Sequence, residues 1–235
     1  MTLNRPHRHN AYNDELIDAM LSAIDEIKAK QPLAVVLRGE GRSFQSGADL
    51  DWIQSLRELD SAANLHASTK TASAISGINT LTMPVLCLVH GSCFGGGTGI
   101  AAACDFVVAV DGTQFAIAEV KWGLSPGIIL PLLLDAVGYR NLRRYALTAE
   151  QFDAKVARDI GLVHEITASW DQANAVIARM VEQICENDPA AVSETKSTLA
   201  EFQTSASDYD ELIAEHSRRR LSNTAARGLA RFRGA

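Results

Sequence analysis

Three short apolar runs constrain this chain most: LAVVLRG at 33–39, VLCLVHG at 85–91 and FVVAV at 106–110. Each is about the length of one strand, and none alternates polar with apolar, so each reads as a strand covered on both faces. The segments between them have helical periodicity. Asn13 and Asp14 can cap a helix with apolar positions Leu16, Ile17, Met20, Leu21, Ile24 and Ile27, ended by Pro32. Leu50 to about Leu81 is helical and mixed with small residues, and Met83-Pro84 stops it. Alternating strands and helices predict an α/β fold of parallel strands joined by crossovers.

Beyond residue 110, TQFAIAEVKWGLSPG reads as mostly extended and ends at Pro126-Gly127. IILPLLLDAVG, RNLRRYALTAEQF and DAKVARDIG read as helices, LVHEI as a short strand, and the chain from Trp170 as helical throughout. A soft boundary near Pro189 divides a core, residues 1–188, from a helical C-terminal segment, residues 189–235. The tail RRRLSNTAARGLARFRGA is basic, and partial fraying is expected there.

With 235 residues, 47% of them hydrophobic, one well-buried core with a small appendage is expected. A net charge of −6 argues against a broad nucleic-acid surface. It leaves room for one phosphorylated small molecule held by two or three local cations. No window of about 18 apolar residues suggests a membrane span. The start, MTLNRPHRHNAYNDEL, has no apolar core of a secretory signal. Cys87, Cys93, Cys104 and Cys185 form no CxxC and no metal-ligand spacing; three lie in apolar or small-residue surroundings. They read as buried thiols in a reducing cytoplasm, with no metal site.

Two glycine-containing loops follow buried strands, where parallel sheets gather their binding sites. Gly39-Glu40-Gly41-Arg42-Ser43-Phe44 opens like a dinucleotide fingerprint, but Phe44 stands where close helix–strand packing needs the third glycine. GSCFGGGTGIAAACD, from Gly91 to Asp105, leads a glycine run into a small-residue helix. It could expose main-chain N–H groups to an oxygen that gains charge, with a second donor from the loop near Gly47-Ala48. Alternatively, Gly95–Gly97 only let a helix pack tightly on a strand. Spacing leaves both readings open.

The segments LNRPHRHNA, VVLRGEGRSFQSGADL, MPVLCLVHGSCFGGGTGIAAACD, FAIAEVKWGLSPG and RRYALTAEQFDAKVARDIGLVHEI occur in the order and spacing of one family. The chain resembles the crotonase (enoyl-CoA hydratase/isomerase) superfamily over nearly its whole length. That resemblance implies a crotonase (ClpP/crotonase-like) spiral of ββα units with a helical C-terminal segment that builds a homotrimer or a dimer of trimers. It also implies a CoA thioester substrate, with no cofactor beyond the coenzyme A that the substrate carries.

Carried onto this sequence, the family's oxyanion-hole donors are the main-chain N–H groups of Ala48 and Gly96. The loop Phe44, Ser46, Gly47, Ala48, Asp49 and Leu50, together with Gly95, would line the path of the substrate. Asp49 has a rival role as cap of the helix starting at Leu50. Trp122 could wall the acyl pocket, though such aromatics are commonly core. Phe232 matches an aromatic that helps cover adenine. MTLNRP begins where the family's early strand would already be under way, so a missing or shortened preceding hairpin is expected.

Two-carboxylate hydratases of the family carry one Glu in the helix after the glycine run and another in the later extended segment. The first position is Gly99 here; the second is Glu119. Glu119 lies among Ile117, Ala118, Val120 and Trp122, and partial desolvation would raise its pKa toward a useful range. The competing reading is an exposed Glu paired with Lys121. One carboxyl suits either hydration of an enoyl-CoA or a Δ3–Δ2 isomerase; a non-catalytic acyl-CoA binding protein is the alternative of another class. The GGxxG and EV(K/R)xGL pieces are similar to methylglutaconyl-CoA and isohexenylglutaconyl-CoA hydratases. Loss of a side chain at Gly99 would enlarge the pocket for a branched acyl group. His90 reads as structural. His66 and His164 have no triad partners, His7 and His9 lie on a polar loop, and Ser92 is outside a GxSxG elbow. Trp52, like Trp122, could wall an acyl pocket or belong to the core, and Arg143 and Arg144 could face CoA phosphates or solvent.

Overall fold

The computed structural model describes residues 1–203 and 209–233. In chain order the strands are β1 (Thr2–Leu3), β2 (Val35–Gly39), β3 (Val85–Val89), β4 (Ser92–Phe94), β5 (Phe106–Val110), β6 (Gln114–Ala116), β7 (Phe152–Asp153) and β8 (Glu165–Thr167). The helices are α1 (Asp14–Lys30), α2 (Leu50–Leu56), α3 (Ser61–Asn79), α4 (Gly96–Ala102), α5 (Leu130–Thr148), α6 (Ala154–Asp159), α7 (Trp170–Cys185), α8 (Pro189–Gln203), α9 (Tyr209–Arg220) and α10 (Asn223–Arg233). A five-stranded sheet runs β1-β2-β3-β5-β8 and is parallel throughout. The three apolar runs are its centre, with Leu37 beside Cys87 and Cys87 beside Val107.

Burial on both faces explains why those runs do not alternate. Val85, Cys87 and Val89 point into the main core with α1 and α3, whereas Leu86 and Leu88 pack with Val108 against Ala173, Val176 and Ile177 of α7. Asn13 caps α1 by accepting from the Leu16 N–H at 3.1 Å, and Leu16, Ile17, Met20 and Ile24 are its buried residues.

A second, smaller sheet runs β4-β6-β7. Of its strands β6 falls in the segment read as extended, whereas β4 and β7 were not legible, because two or three residues carry no readable period. Ser92–Phe94 read as part of the glycine loop and Phe152–Asp153 as the end of a helix. The segment around Glu119 also departs from expectation: the extended part stops at Ala116, and Glu119–Trp122 form a 3-10 turn. The helix expected from Leu50 to Leu81 is two, because the chain breaks after Leu56 and Asp60 caps α3 at the Ala63 N–H. The two apolar-helix readings around Gly138 are joined as α5, kinked at Gly138 with φ 70°.

The C-terminal region is helical as expected. The basic tail from Arg218 completes α9 and forms α10, and Ile213, Ser217, Arg220, Ala225 and Leu229 of these helices are buried. The α9 helix lies on α3, whose Asn64, Ser68 and Thr71 make a buried polar stripe beneath it. Cys87, Cys93 and Cys104 are buried free thiols, but Cys185, at the end of α7, is exposed. Among the described residues no helix is long and apolar enough to cross a membrane.

Candidate active site

The site is built where the two glycine loops leave the sheets. After β2 the chain runs alongside β4: the Phe44 N–H donates to the His90 carbonyl, the Gln45 N–H to the Ser92 carbonyl and the Phe94 N–H to the Gln45 carbonyl, all at 2.9–3.0 Å. Tyr12 then pairs with the next residues, donating to the Gly47 carbonyl at 3.0 Å and accepting from the Asp49 N–H at 2.9 Å. Successive groups of an extended chain point opposite ways. The Ala48 N–H therefore faces away from Tyr12, and it has no acceptor among the described residues. Gln45 fixes this geometry, since its side-chain amide accepts from the Gly47 N–H at 2.7 Å and donates to the Gly47 carbonyl at 2.8 Å.

The other loop turns at Gly95, whose φ of 52° and ψ of −126° favour glycine strongly. Its N–H is taken by the Ala116 carbonyl at 2.8 Å, and its carbonyl accepts from Thr98. Gly96 is the first residue of α4, and its N–H has no acceptor among the described residues. The loops touch: a β-carbon added to Gly95 would lie 3.5 Å from the Gly47 Cα and 3.1 Å from Glu119 Oε1. Glu119 arrives there because β6 pairs with β4, setting Ala116 beside Phe94 three residues earlier.

A cavity of about 580 Å³ opens at this junction, and Tyr12, Ala48, Trp52, Gly95, Glu119 and Arg220 are among its walls. Glu119 Oε2 is buried and has no hydrogen-bond partner among the described residues, and no ion pair joins Glu119 to Lys121. Burial pushes the carboxyl up to about 7, against a hydrogen bond from its own main-chain N–H. The other carboxylates on the cavity wall are Asp49 and Asp51. Asp49 is bound to Arg5 at 2.7 Å and caps α2 through the Asp51 N–H at 3.0 Å. Burial would raise its pKa, but those hydrogen bonds and the charges of Arg5 and Arg8 hold it below the ordinary value. Asp51 pairs with Arg8 at 3.4 Å.

Ser46, Gly47, Leu50 and Trp122 also line the cavity, and Gly96 lies buried behind Gly95. Phe44 does not: its side chain has no exposed surface and belongs to the core, so only its main chain serves the loop. The side chain of Phe232 lies outside the described residues. The expected enlargement at Gly99 is absent, because Ile129 fills that space; an added β-carbon would sit 2.1 Å from Ile129 Cγ2 and 2.6 Å from its Cβ. His90 bonds the Gly41 carbonyl at 2.9 Å and stands edge-on to Trp170, away from the cavity. Arg143 and Arg144 are exposed off the cavity, Arg144 held by Glu150 at 2.7 Å. His7 and His9 line the mouth with Arg8. Among the described residues no set of three His, Cys, Asp or Glu side chains is placed to hold a metal ion.

Reading the sequence missed Tyr12, Gln45, His216 and Arg220. Tyr12 is buried beside Trp52, ring centroids 6.0 Å apart, with its hydroxyl 2.6 Å from where a Gly96 β-carbon would be. Burial and the nearby Glu119 raise its pKa, so it is a neutral donor. A lone tyrosine before a helix cap carries no signal of this, and a charged run such as Arg218-Arg219-Arg220 reads as solvent-facing.

The sequence profile described as enoyl-CoA hydratase/isomerase matches residues 1–227. A short-chain-enoyl-CoA hydratase of Clostridium acetobutylicum is 30% identical over 85% of this chain and 76% of its own. A peroxisomal Δ(3,5)-Δ(2,4)-dienoyl-CoA isomerase of Arabidopsis thaliana is 30% identical over 85% of this chain and 76% of its own. The crystal structure of an enoyl-CoA hydratase/isomerase from Xanthobacter autotrophicus superposes with a TM-score of 0.90 at 28% identity, covering 99% of this chain and 88% of that one.

Proposed function

The chain belongs to the enoyl-CoA hydratase/isomerase family, and from that premise we propose that it adds water across the C2–C3 double bond of an enoyl-CoA thioester. One observation carries the reading: Glu119 brings to the junction of the two glycine loops a buried carboxyl that no cation among the described residues neutralises. With a pKa of about 7 it can both take and return a proton near neutrality.

The thioester oxygen sits between the Ala48 and Gly96 N–H groups, whose freedom from other acceptors supports that role. Their hydrogen bonds strengthen as the oxygen becomes an enolate, and one such donor is worth about 3–4 kcal/mol in the transition state. Ionised Glu119 takes a proton from water as the water oxygen bonds to C3. The C2–C3 π electrons move toward the thioester oxygen. The protonated carboxyl then delivers that proton to C2, and the enolate collapses to the thioester. Atoms and charge balance with one carboxyl, and the neutral Tyr12 hydroxyl is available to hold the water. Arg8 and Lys121 at the mouth suit the phosphates of CoA, which arrives as part of the substrate and leaves no separate cofactor to supply.

A second reading, migration of a double bond, draws on the same carboxyl: with Gly99 packed by Ile129, no second acid enters from α4. Branched and glutaconyl-type thioesters stay within the proposal on the motif resemblance, because Ile129 fills the space at Gly99. The assembly we assign is a homotrimer or a dimer of trimers, with residues 189–235 serving contact and cover. Unpaired cysteines fit a reducing cytoplasm.

Linear, branched and carboxylated enoyl thioesters, followed by absorbance and product mass, provide the test. Hydration adds one water of mass; an unchanged mass with a moved double bond selects isomerisation. Glu119→Gln should abolish turnover and retain CoA-ester binding. A wild-type chain that binds such esters and transforms none is a binding protein.

A further inference from the structure

Arg220 is the most unusual group in the cavity wall. It is the last residue of α9, completely buried, and carries a positive charge into the polar stripe of α3. Its Nη2 donates to the Asn64 carbonyl at 2.6 Å and to Ser68 Oγ. Its Nε and Nη1 are shut off from solvent and have no hydrogen-bond partner among the described residues. A guanidinium has five N–H donors, so the Nε proton and both Nη1 protons remain unspent.

Among the described residues no carboxylate neutralises it. Asp14, whose charge it feels, is committed to Trp52 Nε1 at 2.9 Å and to Lys70 at 3.8 Å. The guanidinium carbon stands 6.0 Å from the centre of the Trp52 ring, a contact that orients it without spending a donor. His216, one turn earlier, bonds Ser68 through Nδ1 at 3.2 Å; burial and the Arg220 charge push its pKa down to about 3, so it stays neutral. Burial also lowers Arg220, to about 10, leaving it charged at neutral pH. An unpaired buried cation is costly, and one on a cavity wall is relieved by an anion that enters the cavity.

We propose that Arg220 receives a carboxylate at the far end of the acyl chain, so that the favoured substrates are CoA thioesters of unsaturated dicarboxylic acids. This deepens the hydratase reading of the same cavity and rests on it. Tyr12 lines the same cavity and feels the charges of both Glu119 and Arg220. The thioester end meets Glu119 and the glycine loops; the carboxylate end meets the guanidinium.

Binding of saturated thioesters tests this without catalysis. Succinyl-, glutaryl- and adipyl-CoA are titrated calorimetrically, each against its methyl-ended counterpart of equal carbon count. At the length that fits, the wild-type chain should prefer the carboxylate by roughly 10- to 100-fold, the worth of a hydrogen bond to a charged group. Arg220→Met should bring that ratio toward one, and Arg220→Lys should keep part of it. Equal affinities, or a preference for the methyl end at every length, would overturn the proposal, and the wild-type titrations decide this even if the variants do not fold. Product mass with the matching unsaturated thioesters separates the two readings. Water added equally well to methyl-ended chains defeats the Arg220 role alone. Selective binding of the diacid thioester with no water added defeats hydration and leaves recognition standing.

Discussion

Burial lifts the Glu119 carboxyl from an ordinary value of 4.5 to about 7, so the folded chain holds that proton more tightly than the unfolded one. Ionising it in place costs nothing below about pH 4.5, costs more as pH rises, and reaches about 3 kcal/mol above pH 7. Glu119→Gln, neutral at every pH, should match wild type in urea unfolding near pH 4 and exceed its stability by about 3 kcal/mol near pH 9. Equal stability at both would mean a solvated carboxyl. Activity runs the other way: wild-type kcat/KM should rise with pH and level off above about 7, and Glu119→Gln should lack that rise and lie roughly 10²- to 10⁴-fold below the wild-type plateau. Gln45 acts one step back, holding the Gly47 peptide that aims the Ala48 amide. Gln45→Ala should lower kcat by roughly tenfold or more, with a smaller change in KM, because the enolate loses more than the bound ester does. Motifs made Glu119 and the glycine loops legible before any coordinates. Tyr12, Gln45 and Arg220 were not, because their roles depend on burial against segments far away in the chain.

Helix α4 is short and made of small residues because α5 lies against it. Ile129, just before α5, occupies the space above Gly99, and this contact rather than an open pocket is what the glycine permits. Gly99→Glu should therefore destabilise the fold by about 1–3 kcal/mol or more instead of restoring a second acid. Pairing it with Ile129→Ala should recover part of that loss, with a coupling of about 1–2 kcal/mol in a double-mutant cycle followed by urea unfolding. Additive losses would mean that the two residues do not share the space. The elements that could be read include α1, from its helical period and the Pro that ends it, the central strands β2, β3 and β5, as unbroken apolar runs, and α6, β8 and α7 further on. Strands β4 and β7 and the turn at Glu119 could not be read. Their form comes from pairing across the second sheet, as Cys93 beside Phe115 and Phe115 beside Phe152 illustrate. The same pairing carries Glu119 to Gly95, so the least legible elements are the ones that assemble the site.

At the scale of the whole molecule, the most exposed large apolar side chains among the described residues are Leu147 and Tyr139 of α5, 68% and 66% exposed, and Leu199 of α8, 61% exposed. Both helices border a second cavity of about 760 Å³, walled by Phe106, Ala136, Leu162 and Leu199 and separate from the one that holds Glu119. Large exposed apolar surface of this kind marks association, which supports the proposed trimer. Light scattering on the purified chain should give the mass of three or six copies, and Leu147→Asp with Leu199→Asp should yield single chains. A wild-type protein that runs as one chain at micromolar concentration would remove the assembly from the proposal. The site itself makes a different demand. Its cover comes from the same chain, since α9 lies on α3 and α10 meets the turn at Glu119–Trp122. Arg57 also ties the end of α9 by donating to the Ser222 carbonyl at 3.1 Å. A dissociated chain that keeps its helical content should therefore retain the rise in kcat/KM near pH 7, because the burial that sets the Glu119 pKa is internal. If dissociation flattens that profile while the circular dichroism is unchanged, a neighbouring copy must supply part of the wall around the carboxyl.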